Sequence, residues 1–207
     1  LKIIKNKNLK KIFIKVKEQI INLDVKNINI YNLLASLAVL KEFNLNLKNT
    51  KKIFKNYELT EGRGKTHIIS RYNKKFKLID ESYNANPLSV KNAITNFDLI
   101  KKEKFKKYLI LGDMLELGRK SETYHKDLSK VINNTDIDKV FIKGEKTLFT
   151  YKYLNKRKQG NILQNKDDID FILSDIITNN DYLMIKGSNA TGLNIISKKM
   201  IEGLNVI

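Results

Sequence analysis

The sequence predicts an α/β protein with a mostly parallel sheet covered by helices on both faces, preceded by a separate amino-terminal segment. Three observations predict it. From His67 onward, short apolar runs alternate with longer stretches of helical periodicity. The runs at Tyr108, Lys139 and Tyr182 are close to continuously apolar, as expected of strands buried on both faces. Four runs end abruptly in charged or polar residues, and in such a sheet those ends collect along one edge, where ligands bind.

In chain order, 12–16 and 19–23 read as two short β runs in a lysine-rich background, a hairpin or the tail of a larger sheet. Residues 30–43 read as a helix, because Ile30, Leu33, Leu34, Leu37, Ala38 and Lys41 step around one face. A second, shorter helix is expected over 47–56. Thr60-Glu61-Gly62-Arg63-Gly64-Lys65 marks a boundary, since two glycines interrupt a change of pattern; it divides the chain into 1–59 and 60–207. Beyond it, strands are expected at 67–72, 76–79, 108–111, 139–142 and 182–185. Helices are expected at 88–101, 121–133, 146–155, 167–178 and 194–202. The basic stretch Lys156 to Gly160 reads as a surface loop.

The stretch that organises the rest is Leu78-Ile79-Asp80-Glu81-Ser82-Tyr83-Asn84-Ala85-Asn86-Pro87. An apolar strand meets two acids, a polar turn follows, and the chain's single proline stands where a first helical turn accepts it. Three further strand ends repeat the theme. Leu111 runs into Gly112-Asp113-Met114-Leu115-Glu116, Ile142 into Lys143-Gly144-Glu145, and Ile185 into Lys186-Gly187-Ser188-Asn189.

Composition narrows the function classes. A hydrophobic content of 42% over 207 residues supports a packed core, and no apolar run is long enough to span a bilayer, so membrane insertion is not expected. Without cysteine there are no disulfides and no thiolate metal sites. No secretory signal pattern opens the sequence, and a cytoplasmic protein is expected. The first residue is Leu1 rather than Met, which suggests a processed or truncated chain. The net charge of +18 raises nucleic acid as a partner. The lysines, however, are spread along the chain among abundant Asn and Ile, a pattern that nucleotide bias also produces, and no nucleic-acid partner is expected.

Taken singly, several of these residues have plain explanations. His125 reads as a partly exposed helix histidine and His67 as a structural residue at a strand start. Asp113 and Lys186 suit turns or caps as well as they suit a ligand.

Taken together, the blocks resemble a known family. Asp80-Glu81-Ser82-Tyr83-Asn84-Ala85-Asn86-Pro87, Leu111-Gly112-Asp113-Met114-Leu115-Glu116-Leu117-Gly118 with Ser121 and His125, Lys186-Gly187-Ser188, and the opening Gly62-Arg63-Gly64 are similar in order and approximate spacing to the Mur ligases. Within that family the similarity is to the branch that joins D-alanyl-D-alanine to UDP-N-acetylmuramoyl-tripeptide. The resemblance implies a Rossmann-like carboxyl-terminal domain at 60–207 and the tail of a central ATP-binding domain at 1–59. ATP and Mg2+ are implied for the complete enzyme, whose two substrates are the UDP-sugar tripeptide and the dipeptide. A cytoplasmic monomer is expected.

The resemblance also implies roles. Asn32 falls near the adenine, with Tyr31 where the family usually has His. Arg63 reaches ATP phosphate, and Glu81, preceded by Asp80, supplies the acid at the ribose. Arg63 and Glu81 are the catalytic candidates. Ser82, Asn84 and Asn86 face the peptide substrates, and Asp113, Glu116, Lys186 and Ser188 occupy dipeptide- or peptide-binding positions. No metal ligand is assigned.

Two near-matches to a phosphate loop fail. Gly187 to Gly192 has the GxxxxG spacing but Leu193 follows, and Gly64-Lys65-Thr66 has Leu59 where a glycine belongs. The chain alone is therefore expected to be inactive. Two other classes fit parts of the sequence: a non-catalytic Rossmann-like binding module, and a basic nucleic-acid-binding α/β protein.

Overall fold

The computed structural model describes residues 2–5, 11–16, 19–24, 30–50, 59–101, 103–165 and 167–203. The chain forms two compact units, 1–59 and 60–207.

In the first unit, β1 (Lys2–Lys5), β2 (Lys11–Val16) and β3 (Gln19–Asp24) make an antiparallel sheet in that order. Ile14 pairs with Ile21 across β2 and β3 and packs with Leu23 against Leu33 and Leu37 of α1 (Ile30–Glu42). The expected hairpin is present, with β1 as a strand that the sequence reading did not separate. Of the second helix expected at 47–56, Leu47–Asn49 forms a 3-10 turn capped by the Asn46 side chain; residues 51–58 lie outside the described residues.

The second unit holds one six-stranded sheet in the order β4-β5-β9-β6-β7-β8. Its strands are β4 (Lys65–Arg71), β5 (Lys74–Glu81), β6 (Lys107–Gly112), β7 (Lys139–Lys143), β8 (Gln159–Ile162) and β9 (Tyr182–Lys186). Only β4 runs antiparallel, against β5 at the sheet's edge. The helices are α2 (Pro87–Asp98), α3 (Ser121–Asn133), α4 (Thr147–Lys152), α5 (Asp167–Phe171) and α6 (Leu193–Ile201). After α5, a π-type turn at Ile172–Ile176 replaces the expected continuation of the helix.

One expectation needs correction, and one connection was not anticipated: β4 and β5 join directly. Tyr72 and Asn73 adopt left-handed backbone (φ 50° and 57°) and close a two-residue hairpin, the geometry that matches the twist of paired strands. The stretch Lys156 to Gly160 is no surface loop. It enters β8, which pairs in parallel with β7, and Lys158 is buried with its ammonium donating to the Thr135 and Ile137 carbonyl oxygens at 2.7 Å each. A basic residue type misled the reading; its aliphatic stem and two backbone acceptors make it a core residue here.

Alternation along the strands sorts the core. Leu109, Leu111, Val140, Ile142 and Met184 face one side and pack under α2 and α3. Tyr108, Ile110, Phe141, Leu183 and Ile185 face the other, under α5 and α6. All six residues of β6 are buried, because it lies between β9 and β7 with both faces covered. The chain crosses from β5 to β6 by way of α2 and later returns to insert β9 between them. So α2 leaves β5 toward one face while α6 leaves β9 toward the other, opening a crevice at the carboxyl ends of β5, β9 and β6. Among the described residues, no helix is long and apolar enough to cross a membrane.

Candidate functional site

The crevice is built from the turn before β4 and the loops after β5, β6 and β9. Asp80 organises the first two. Its carboxylate is 4% exposed and accepts from the Gly62 amide (3.0 Å), the Ser82 amide (3.2 Å) and the Ser82 hydroxyl (2.6 Å), while its carbonyl accepts from the Gly64 amide (2.7 Å). The turn sits so close that a Cβ on Gly62 would meet Tyr83 Cβ at 2.7 Å, and one on Gly64 would meet Glu81 Oε1 at 2.8 Å. Both glycines also have positive φ (71° and 91°), which L side chains rarely adopt. The two glycines thus let the turn that carries Arg63 pack closely against Tyr83 and Glu81.

Arg63 is exposed at the tip of that turn, with its guanidinium 4.6 Å from the centre of the Tyr83 ring. Glu81 is partly buried beside it. Its Oε2 lies 3.7 Å from the Lys186 ammonium; burial pushes its carboxyl up from the ordinary range, and Lys186 opposes that shift. Lys186 is almost wholly buried. Its ammonium donates to the Glu81 carbonyl (3.2 Å) and to the Asn84 carbonyl, and burial lowers its pKa against the pull of Glu81. Two hydrogen bonds and one ion pair from Lys186 thus tie the end of β9 to the end of β5 and the loop after it.

The other expected residues divide between framework and surface. Asp113 is buried and caps the start of α4, accepting from the Thr147 amide (2.8 Å) and the Lys146 amide (3.2 Å). Ser188 bridges three loops: its amide donates to the Asp113 carbonyl (3.0 Å), and its hydroxyl accepts from the Leu115 amide (3.0 Å) and lies 3.4 Å from the Ala85 carbonyl. Asn86 caps α2 in a reciprocal pair with Ser89, at 2.8 and 3.0 Å. Asn84 is exposed, and Glu116 is exposed with a left-handed backbone (φ 61°). Asn32 lies in the first unit, exposed on α1, where its carbonyl accepts from the Ser36 hydroxyl.

Tyr83 was passed over in the sequence, although an exposed aromatic inside a polar turn was a usable signal. A cleft of about 140 Å³ opens beside the same turn, lined by Glu61, Asp80, Ser82 and Tyr83 and by Asn194, Lys198 and Glu202 of the segment spanning α6 and its end. Asn194 Oδ1 is buried there without a partner among the described residues.

His125 is fully buried, not the partly exposed residue expected. Its Nε2 accepts from the Met114 amide (3.0 Å), so the proton sits on Nδ1, which donates to the Ser121 carbonyl (2.8 Å). Protonating Nε2 would set two donors against each other, and burial depresses the pKa below 6.5. The folded state therefore takes up this proton less readily than the unfolded chain, and stability falls as pH drops below about 6.5, continuing down to the lower folded value. Between pH 7 and 5, His125→Gln should lose less urea-midpoint stability than the wild type; an unchanged slope would show that the neutral ring does not matter. His67, shifted the same way by burial, contributes to both.

Comparison with known proteins decides the family. The profile described as "Mur ligase, glutamate ligase domain" matches residues 64–189, more than half of the chain. The chain belongs to the Mur ligase family. The UDP-N-acetylmuramoyl-tripeptide–D-alanyl-D-alanine ligase of Bacillus subtilis is 29% identical over 178 residues, covering 84% of this chain and 38% of the relative. The ligase of the same name from Rickettsia prowazekii is 28% identical over 76% of this chain and 34% of its own length. The chain thus spans little more than a third of these Mur ligases. A crystal structure of a MurF ligase from Thermotoga maritima in complex with ADP shares the fold, with a TM-score of 0.71 at 18% identity, over 93% of this chain and 43% of that one.

Proposed function

We propose that this chain is the carboxyl-terminal portion of an ATP-dependent ligase joining D-alanyl-D-alanine to UDP-N-acetylmuramoyl-tripeptide. The tripeptide carboxylate attacks the γ-phosphate of ATP, giving an acyl phosphate and ADP. The dipeptide amine then attacks the acyl carbon, loses a proton and expels inorganic phosphate as the amide bond forms.

The observation that supports this reading is an exposed Arg63, carried on a fixed turn and lying over Tyr83 at the same crevice as Glu81, in a Mur ligase whose curated relatives carry that ligase name. Arg63 offers a planar, permanently charged fork to phosphate oxygens, where negative charge builds during transfer. Glu81 is the acid with room to meet the nucleotide ribose, because the Asp80 oxygens are committed to Gly62 and Ser82. Asn32 is assigned to the adenine; the exposed Asn84 and Glu116 are assigned to the peptide substrates. Ser82, Asn86, Asp113, Lys186 and Ser188 hold the loops that present them. Residues 1–59 are assigned to the tail of the central ATP-binding domain. Among the described residues no group of three His, Cys, Asp or Glu could hold a metal ion, and ATP and magnesium are assigned to the complete enzyme.

The test is ATP-dependent joining of the two substrates by this chain alone and by the chain completed with the amino-terminal portion of the Bacillus subtilis relative. Activity in the completed form is expected. In that form Arg63→Ala should lower turnover by about 10²–10³-fold, the cost of removing one transition-state donor. Its unfolding should be unchanged, since the side chain is exposed. Near-wild-type turnover would remove Arg63 from the reaction.

A further inference from the structure

Arg63 stands on an exposed turn, yet its function requires one position. We infer that Tyr83 is the residue that sets it, acting as a positioning residue for the arginine; the catalytic half of this inference rests on the ligase reading above. Three observations carry it.

First, the backbone on both sides of Arg63 is fixed, while its side chain is exposed. The Gly62 amide is bound to the Asp80 carboxylate and the Gly64 amide to the Asp80 carbonyl. Second, the turn is docked on Tyr83 itself. The Tyr83 amide donates to the Gly62 carbonyl (3.2 Å), and the absence of a side chain at Gly62 lets the two backbones touch. Third, the Tyr83 ring is 52% exposed and lies under the guanidinium at 4.6 Å, within the range of a cation–π contact. An exposed arginine samples many rotamers; the ring face selects those that lie across it, toward Glu81, whose carboxylate feels the Arg63 charge. The phenolic hydroxyl makes no hydrogen bond among the described residues, so the ring alone does the selecting.

The chain has four arginines, Arg63, Arg71, Arg119 and Arg157, so the Nε–Hε signals can be assigned individually by NMR in the chain as it stands. The Arg63 Hδ and Hε resonances should be shifted upfield by the ring in the wild type and in Tyr83→Phe, and return to ordinary values in Tyr83→Leu. In the completed ligase, Tyr83→Leu should lower kcat by about 2–5-fold, the population shift that an exposed cation–π contact supports. Tyr83→Phe should restore it. Arg63→Ala/Tyr83→Leu should be no slower than Arg63→Ala alone, because a positioning residue has nothing left to position. Additive losses, or no ring shift in the wild type, would overturn the inference and leave the ligase reading standing. Full turnover in Arg63→Ala would overturn the inference by removing Arg63 from the reaction, and the wild-type ring shift would then show a stack without a catalytic use; no joining by the completed wild type would instead overturn the ligase reading.

Discussion

Lys186→Met is expected to lower the unfolding free energy by about 3 kcal/mol, toward the low end of what removing one partner of a buried ion pair costs. The methionine stem fills most of the same space, so the loss is electrostatic. It strands the Glu81 and Asn84 carbonyl oxygens and leaves the Glu81 carboxylate, itself partly buried, without its cation. The figure stays low because the Glu81 side chain keeps 27% exposure and can recover water. Glu81→Gln should cost less, since Lys186 then keeps both carbonyl acceptors. Urea denaturation of the chain measures both. The experiment also separates two roles for Lys186. A variant with native stability that lost ligation in the completed enzyme would mean that the ammonium meets substrate, as the family resemblance implies; a variant that unfolds early means that it ties the loop.

Asp80→Ala is the second large effect. It strands the amide of Gly62 and the hydroxyl and amide of Ser82, all in buried residues, at about 1–3 kcal/mol for each buried donor left without a partner. The loss should reach several kcal/mol and should release the turn that carries Arg63. Asp80→Asn should recover part of it, because one amide oxygen can still serve either Gly62 or Ser82 while the NH₂ opposes the other. Amide hydrogen exchange reads this directly: Gly62 and Ser82 should lose protection in Asp80→Ala well beyond the global change. Retained protection at both would show that the carboxylate is not the fastener. Adjacent acids in one sequence block thus have separate duties, one inside the loop and one at its surface.

Much of the architecture was legible. The five strands read from the apolar runs and the helix after Pro87 are present, because each announces its own burial through periodicity. The turn at Gly62-Arg63-Gly64 stood out for a local reason as well, since positive φ favours glycine at the two positions that flank the arginine. The misses share a cause. β8 carries few apolar residues, its pattern being Gln159-Gly160-Asn161-Ile162, and it is a strand only because β7 offers it an unpaired edge. Lys158 looked solvated because residue type is a statement about averages, whereas two carbonyl oxygens in one place make an exception. The β4–β5 hairpin was hidden because Tyr72 and Asn73 are not the glycine-containing pair that usually marks such a turn.

The sequence by itself determined the α/β class, the family and the set of polar residues at the strand ends, because these depend on periodicity, spacing and residue type along the chain. Only the tertiary structure decided which of those residues face outward. Asp80, Asp113, Asn86, Lys186 and Ser188 hold loops together, while Arg63 and Tyr83 stand at the surface with Glu81 partly buried beside them. The physical reason is that a buried polar group must find its partners, and those partners come from loops far apart in sequence, here as much as 105 residues between Lys186 and Glu81. No local pattern records which acid those loops will use up and which they will leave free.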